Sequence, residues 1–173
     1  WYTGGYRSWG GFETLPEVNE EDPSYVAFIT GKGGVIDTWL SRGAAGFRLD
    51  VADELPDSFI EKIRAAVKAH GEDKLLIGEV WEDATTKHGF GRRRTYLLGK
   101  GLDSVMNYPF RNAILDFVRG KPAEDAMDEI LSICSHYPAP ALHTALNFLS
   151  THDVERAMTV IADEPANGRG RAW

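Results

Sequence analysis

Apolar positions along this chain follow two alternating rhythms. Within residues 43–54, Phe47 and Leu49 alternate with Arg48 and Asp50, a period of two that predicts a strand over 45–50 with both charged side chains on one face. The run Leu75-Leu-Ile-Gly-Glu-Val-Trp81 is continuously apolar apart from Glu79 near its carboxyl end, as suits a parallel strand buried on both faces. Residues 102–106 read as a weaker third strand and 143–150 as a fourth. Between them the spacing turns helical. One edge carries Tyr25, Phe28 and Ile29, resumed by Val35, Ile36, Trp39 and Leu40 after a break at Gly31, Gly33 and Gly34. Phe59, Ile60, Ile63, Ala66 and Val67 form the next stripe, opened by Pro56 and closed by Gly71. Pro109 opens a helix bearing Phe110, Ile114, Phe117 and Val118, and Pro122 opens one bearing Met127, Ile130, Leu131 and Cys134. A last helix carries Val154, Ala157, Met158 and Ile161. Ser24 is the expected cap of the first helix and Gly43 the stop of the second.

Two stretches have no period. Residues 1–23, rich in Gly, Pro, Trp and Tyr, predict an extended loop folded onto the body by its own aromatic side chains. Residues 82–101 predict a basic loop with a short helix, its Lys87, Arg92, Arg93, Arg94 and Lys100 forming a solvated surface. Strand followed by helix, four times over, implies a parallel sheet of right-handed βαβ units. Four such units match half of a (β/α)8 barrel, whose sites lie at the carboxyl ends of the strands. The expected fold class is therefore α/β, a partial (β/α)8 TIM barrel.

Composition narrows the function without naming it. The 173 residues carry 43% hydrophobic and 26% charged positions, enough for one globular domain. Asp and Glu number 26 against 19 Lys and Arg, a net charge of −7 that disfavours nucleic acid or an anionic membrane as partner. The single cysteine, Cys134, excludes an internal disulfide and is expected in the apolar core. Neither the opening Trp1-Tyr-Thr-Gly-Gly-Tyr nor the final Asn167-Gly-Arg-Gly-Arg-Ala-Trp173 resembles a natural terminus, so the expectation is a fragment, residues 1–173, of one longer catalytic barrel. A cytoplasmic parent protein is expected, with secretion as the alternative.

Three acids stand at or just beyond strand ends: Asp50, Glu79 and Asp153. The 29 residues from Asp50 to Glu79 make one βαβ unit, which places these two on adjacent strands about 4.8 Å apart. Retaining glycosidases hold their two carboxyl groups about 5 to 5.5 Å apart, one as nucleophile and one as general acid/base. Asp50 beside Arg48 suits the nucleophile, since a neighbouring cation favours a charged carboxylate. Glu79, flanked by Val80 and Trp81, suits the acid, which must carry a proton near neutral pH. Asp153 then suits holding the sugar or a developing positive charge, and His152 donating to a hydroxyl. Each acid alone has a plainer reading, an ion pair for Asp50, a satisfied core polar group for Glu79 and a helix cap for Asp153.

Taken together, Gly46-Phe-Arg-Leu-Asp-Val-Ala-Asp-Glu54, Gly78-Glu-Val-Trp81 and Phe148-Leu-Ser-Thr-His-Asp153 resemble, in order, the nucleophile, acid/base and third-carboxylate segments of the α-amylase superfamily. The resemblance implies strands four to seven of the barrel, Asp50 as nucleophile, Glu79 as acid/base and Asp153 as transition-state stabiliser, with Arg48 and His152 in the glucose subsite. Leu15-Pro-Glu-Val-Asn19 is similar to a segment of neopullulanase-like and cyclomaltodextrinase-like members. Glu54 and Trp81 match positions those members use toward leaving-group sugars, which implies α-1,4 and α-1,6 glucosidic bonds of maltodextrins, pullulan or cyclodextrins, although Asp53 departs from the more usual Asn. No cofactor is implied beyond a structural Ca2+ in the parent protein, and no metal among the site residues. The partner implied is an α-glucan. A half barrel exposes sheet edges and apolar surface, so the isolated fragment is expected to self-associate and to be inactive. Two alternatives stand beside this reading, a non-catalytic amylase-like partner domain and a metal-dependent TIM-barrel lyase or isomerase.

Overall fold

The computed structural model describes residues 5–162. The helices are α1 (Pro23–Thr30), α2 (Val35–Ser41), α3 (Asp57–Lys68), α4 (Tyr108–Val118), α5 (Ala123–His136), α6 (Ala139–Thr144) and α7 (Ala157–Ala162). The strands are β1 (Gly46–Leu49), β2 (Leu75–Gly78), β3 (His88–Gly89), β4 (Arg92–Arg93) and β5 (Ser104–Val105). β1, β2 and β5 form a parallel sheet in that order, with Leu49 opposite Gly78 and Ile77 opposite Ser104. The α/β fold of a partial (β/α)8 barrel is therefore present, with its apolar core between the sheet and α2 and α3. Ile36, Leu40, Phe59, Ile60, Ile63, Val67, Leu76, Val80 and Val105 are all buried in it, each aliphatic side chain contributing about 1.5–3 kcal/mol.

Two glycines let the strands sit this close. A Cβ on Gly46 would collide with the Leu75 carbonyl, and one on Gly78 would collide with the Leu102 side chain and press on Ala52. Asp103, just before β5, fastens the layers from the other side. Its carboxylate receives Arg64 Nη1 at 2.7 Å and Lys68 Nζ at 2.9 Å from α3, and the Leu76 N–H of β2 at 2.8 Å.

Several sequence expectations are corrected. The fourth strand at 143–150 is absent: its first residues end α6, and a single parallel bridge pairs Leu146 with Met106. The pairing stops there because 147–156 bonds through side chains instead. No helix interrupts 82–101, where β3 and β4 form a short antiparallel hairpin. That loop is not simply a solvated surface either, since Arg94 is 2% exposed. Its guanidinium donates to Asp57 Oδ1 at 2.8 Å, the Asp53 carbonyl at 2.5 Å and the Leu55 carbonyl at 2.7 Å, and it lies 4.4 Å from the Tyr96 ring centroid. Three acceptors and an aromatic face offset the desolvation of the cation.

On α5 the buried stripe is Ala126 and Ile133, with Ile130 half-buried, while Met127, Leu131 and Cys134 face outward. On α4 the buried side is Tyr108, Arg111, Ala113 and Leu115, and Phe117 and Val118 are exposed. Both helices are amphipathic, but rotated from the face expected, because the small Ala113 and Ala126 take the close-packed positions and leave Phe117, Val118, Met127 and Leu131 outside. Caps also shift: Asp22, with Pro23 after it, caps α1 by accepting from the Ser24 and Tyr25 amides, and Asn107 caps α4. In the amino-terminal loop, Trp1 and Tyr2 lie outside the described residues, while Trp9 stacks on Phe12 and both stay exposed.

Two stability predictions follow from the buried charges. Arg94→Lys keeps the charge but loses the fork, so it is expected to cost about 3 kcal/mol in equilibrium urea unfolding; a loss below about 1 kcal/mol would mean that the charge alone suffices. For Asp103, burial pushes the carboxyl up, but the hydrogen bonds from Arg64, Lys68 and the Leu76 N–H outweigh it and leave the group below its ordinary value. A lowered folded-state value means its stabilisation is fully present above the unfolded value, about pH 4, and is lost as pH falls through the folded one. Asp103→Asn is accordingly expected to be markedly less stable than the parent chain near neutral pH and to lose that difference progressively as the medium is acidified below the ordinary carboxylate range. Parallel urea midpoints that stay separated in acid would contradict this.

Candidate active site

The β1–β2 register sets the site. Because Leu49 pairs with Gly78, the next residues, Asp50 and Glu79, leave neighbouring parallel strands side by side at their carboxyl ends. The Glu79 N–H donates to the Leu49 carbonyl at 2.9 Å, one last rung of the ladder. The chain then turns sharply at Val51, whose φ of 42° is left-handed, a conformation that costs a β-branched residue roughly 1–3 kcal/mol. This turn aims the Val51 N–H at Glu79 Oε2, 2.8 Å away, and the Ala52 N–H at the Glu79 carbonyl, 3.0 Å away. Backbone after one acid thereby holds the other.

Arg48 is the centre of charge. Nη1 pairs with Asp50 Oδ1, while Nη2 lies 3.2 Å from Glu79 Oε2 and 3.8 Å from Asp153 Oδ2. Nη2 is buried without a directed hydrogen bond, so it meets the latter two through charge rather than through aligned N–H contacts. Nε points at the Met106 thioether, 3.3 Å away. One cation thus gathers three acidic side chains at a single point.

Their surroundings differ. Glu79 is 4% exposed, and Trp81 Nε1 donates to its Oε1 at 2.9 Å. The Asp50 side chain is 75% exposed and that of Asp153 31%. His152 Nε2 lies 3.3 Å from Asp153 Oδ1, with most of the ring in solvent. The sequence-predicted Arg48, Asp50, Glu79, Asp153, His152 and Trp81 are all linked in this cluster. Glu54 stands exposed in the turn Ala52–Glu54 and is not among the residues that meet at Arg48.

Sequence reasoning missed what holds Asp153. With no strand there, Arg111 of α4 donates to the Leu149 carbonyl at 3.0 Å and the Glu155 carbonyl at 3.2 Å, bracketing Asp153 from both sides. Asn107 Nδ2 reaches Asn147 Oδ1 at 3.0 Å. The available signal was spacing: Tyr108, Arg111 and Leu115 share one helical face, so an arginine stood on a buried stripe. Beneath Trp81 lies Tyr108, stacked at 4.8 Å and 15°, and Phe148 meets Tyr108 edge-on at 4.8 Å.

Ca2+ takes six to eight oxygen ligands, and among the described residues no group of three or more His, Cys, Asp or Glu is arranged to hold a metal ion. The three site acids converge on a guanidinium instead, and Glu79 has donors at both oxygens. Among the described residues, no helix is long and apolar enough to cross a membrane.

A parallel sheet with acids gathered at the carboxyl ends of its strands is the arrangement of a (β/α)8-barrel catalytic domain. The profile of the α-amylase catalytic domain matches residues 3–171, and the chain belongs to that family. It is 32% identical to an amylopullulanase of Thermoanaerobacter thermohydrosulfuricus over 98% of its own length and 13% of that protein. A neopullulanase 2 of Thermoactinomyces vulgaris is 32% identical over 90% of the chain and 25% of that protein. Among solved structures, a cyclic α-maltosyl-(1→6)-maltose hydrolase from Arthrobacter globiformis superposes with a TM-score of 0.79 at 29% identity, over 90% of this chain and 33% of that one. A debranching enzyme of Nostoc punctiforme gives 0.78 at 29% identity, over 92% and 34%. The chain therefore spans a quarter or less of these two curated relatives.

Proposed function

We propose that the protein containing this chain is a retaining α-glucan hydrolase in which Asp50 is the nucleophile and Glu79 the general acid/base. The observation that carries the reading is the single Arg48 guanidinium that touches Asp50, Glu79 and Asp153 at once. A carboxyl pair on adjacent strands, spanned by one guanidinium, suits the separation of about 5–5.5 Å that double displacement uses. Asp50 attacks the anomeric carbon as Glu79 gives its proton to the departing glycosidic oxygen, leaving a glycosyl ester on Asp50. Glu79, now ionised, takes a proton from water, which attacks the same carbon and releases Asp50. Asp153 stabilises the positive charge that develops on the sugar, with His152 beside it. Glu79 Oε2 is engaged by Val51 and Arg48, while Oε1, with one donor, keeps a lone pair where the proton rides.

Glu54 and Trp81 lie toward the leaving-group sugars, and the amylopullulanase and neopullulanase relatives support substrates with α-1,4 and α-1,6 linkages. The chemistry runs on carboxyl groups and requires no organic cofactor. Retention of all three acids speaks against a non-catalytic partner domain. The donors around Glu79 and the guanidinium among the acids speak against a metal-dependent lyase or isomerase, whose carboxylates would turn free oxygens to the ion.

The isolated chain is inactive in this reading, because Asp50 is exposed and keeps its hydration, with no wall among the described residues to exclude water from it. β1 pairs only with β2 among the described residues, so its outer edge is open to a second copy. Sedimentation velocity on the isolated chain is expected to show dimers or larger species; a monodisperse monomer would contradict it. In the full-length protein, Asp50→Asn is expected to lower kcat on maltodextrin by roughly 10^4-fold or more, and Glu79→Gln by about 10^2- to 10^4-fold. Unchanged hydrolysis by the Asp50 variant would sink the nucleophile assignment.

A further inference from the structure

Glu79 is held at both ends of its carboxyl group, and the two holders differ in kind. Oε2 meets a backbone N–H that any residue but proline would supply at position 51, whereas Oε1 meets one side-chain donor, Trp81 Nε1 at 2.9 Å. The indole is itself fixed from below. Tyr108, 2% exposed, stacks against it, and Phe148 locks Tyr108 from the edge. Trp81 nevertheless keeps 47% of its surface in solvent. A ring pinned on one side and open on the other cannot turn its N–H away from Glu79 without unstacking from Tyr108.

From this geometry we infer that Trp81 is a positioning residue for the acid: its indole N–H sets the rotation of the Glu79 carboxyl group so that Oε1 presents the proton to the departing oxygen. The inference rests on the acid/base assignment of Glu79. It assigns Trp81 a task in proton delivery, apart from any contact of its open face with a sugar. Held at Oε2 alone by the Val51 N–H and Arg48, the carboxyl group pivots about its terminal bond, a soft torsion, and Oε1 presents its proton in the right direction for only part of the time. Phe148 and Asp153 belong to one segment, so the stack also ties the acid's orientation to the placement of the third carboxylate.

The test separates proton delivery from sugar contact. Full-length protein and its Trp81→Phe variant, which keeps the stack and deletes the N–H, are compared on aryl α-maltosides whose leaving groups run from phenol to 3,4-dinitrophenol. All these leaving groups are single aromatic rings, but the acidic phenols depart with little help from a proton. The expected result is a kcat/KM loss about 10- to 100-fold larger for phenol than for dinitrophenol, the worth of one hydrogen bond to a group that becomes charged as its proton leaves; kcat/KM ends at the glycosyl ester and so excludes the later work of Glu79 as base. An equal loss across the series would overturn the inference, since lost packing or sugar contact lowers all of them together. Glu79→Gln serves as the reference. If it too shows an equal loss across the series, the acid assignment fails; if it steepens the dependence while Trp81→Phe does not, only the role of Trp81 fails. Should Trp81→Phe not fold, benzothienylalanine at position 81, with sulfur in place of the N–H and the same outline, is measured with the same expected and overturning results.

Discussion

The pairing of β1 with β2 in a single register is the constraint from which the rest of the site descends. Side chains alternate across a strand, so a slip of one residue would turn Arg48 and Asp50 to the opposite face and separate Asp50 from Glu79. The register is held by steric fit and by charge together. Gly46 and Gly78 allow the backbones past neighbours that a methyl group would strike, and Asp103 binds the Leu76 amide while gripping α3 through Arg64 and Lys68. Arg94 fixes the turn that follows Asp50 by capping carbonyls at 53 and 55. Among the described residues, the buried charges Glu79 and Arg94 thus stand around the strand pair that places the first two acids, while Arg111 serves the segment of the third.

How much of this could be read from residues alone depends on the distance over which each feature is decided. β1, β2 and α3 were legible because their patterns are local: a period of two, a continuous apolar run and a stripe from Phe59 to Val67 that is buried as its spacing foretold. Asp50 and Glu79 were legible for the same reason, as acids at strand ends one unit apart. The faces of α4 and α5 were not, since two stripes on each helix had acceptable helical spacing and the choice between them belongs to the neighbouring helix. Arg94 could not be told from its exposed neighbours Arg92 and Arg93, because its acceptors lie 37 to 41 residues away in sequence. Asp153 was found, but for an incomplete reason. Its segment carries apolar residues as a strand would, yet it is placed by Arg111 and Asn107 rather than by a ladder.

The site divides accordingly into a rigid and a tethered part. Asp50 and Glu79 hang from sheet and turn, with the strained Val51 backbone stored between them. Asp153 and His152 sit on irregular chain, held by side-chain hydrogen bonds and by the Trp81–Tyr108–Phe148 stack. Arg48 joins the two parts electrostatically, and its weakest contact, 3.8 Å to Asp153, lies across that division.

The parallel register also has a kinetic meaning. Gly46 meets Leu75 across 29 residues, whereas Arg48 and Asp153 are 105 residues apart. Loop-closure entropy makes the longer contact costlier by about 1 kcal/mol, and low sequence separation favours early formation. The β1–α3–β2 unit is thus the part of the chain best suited to assemble first, bringing the nucleophile and the acid together before the third carboxylate arrives.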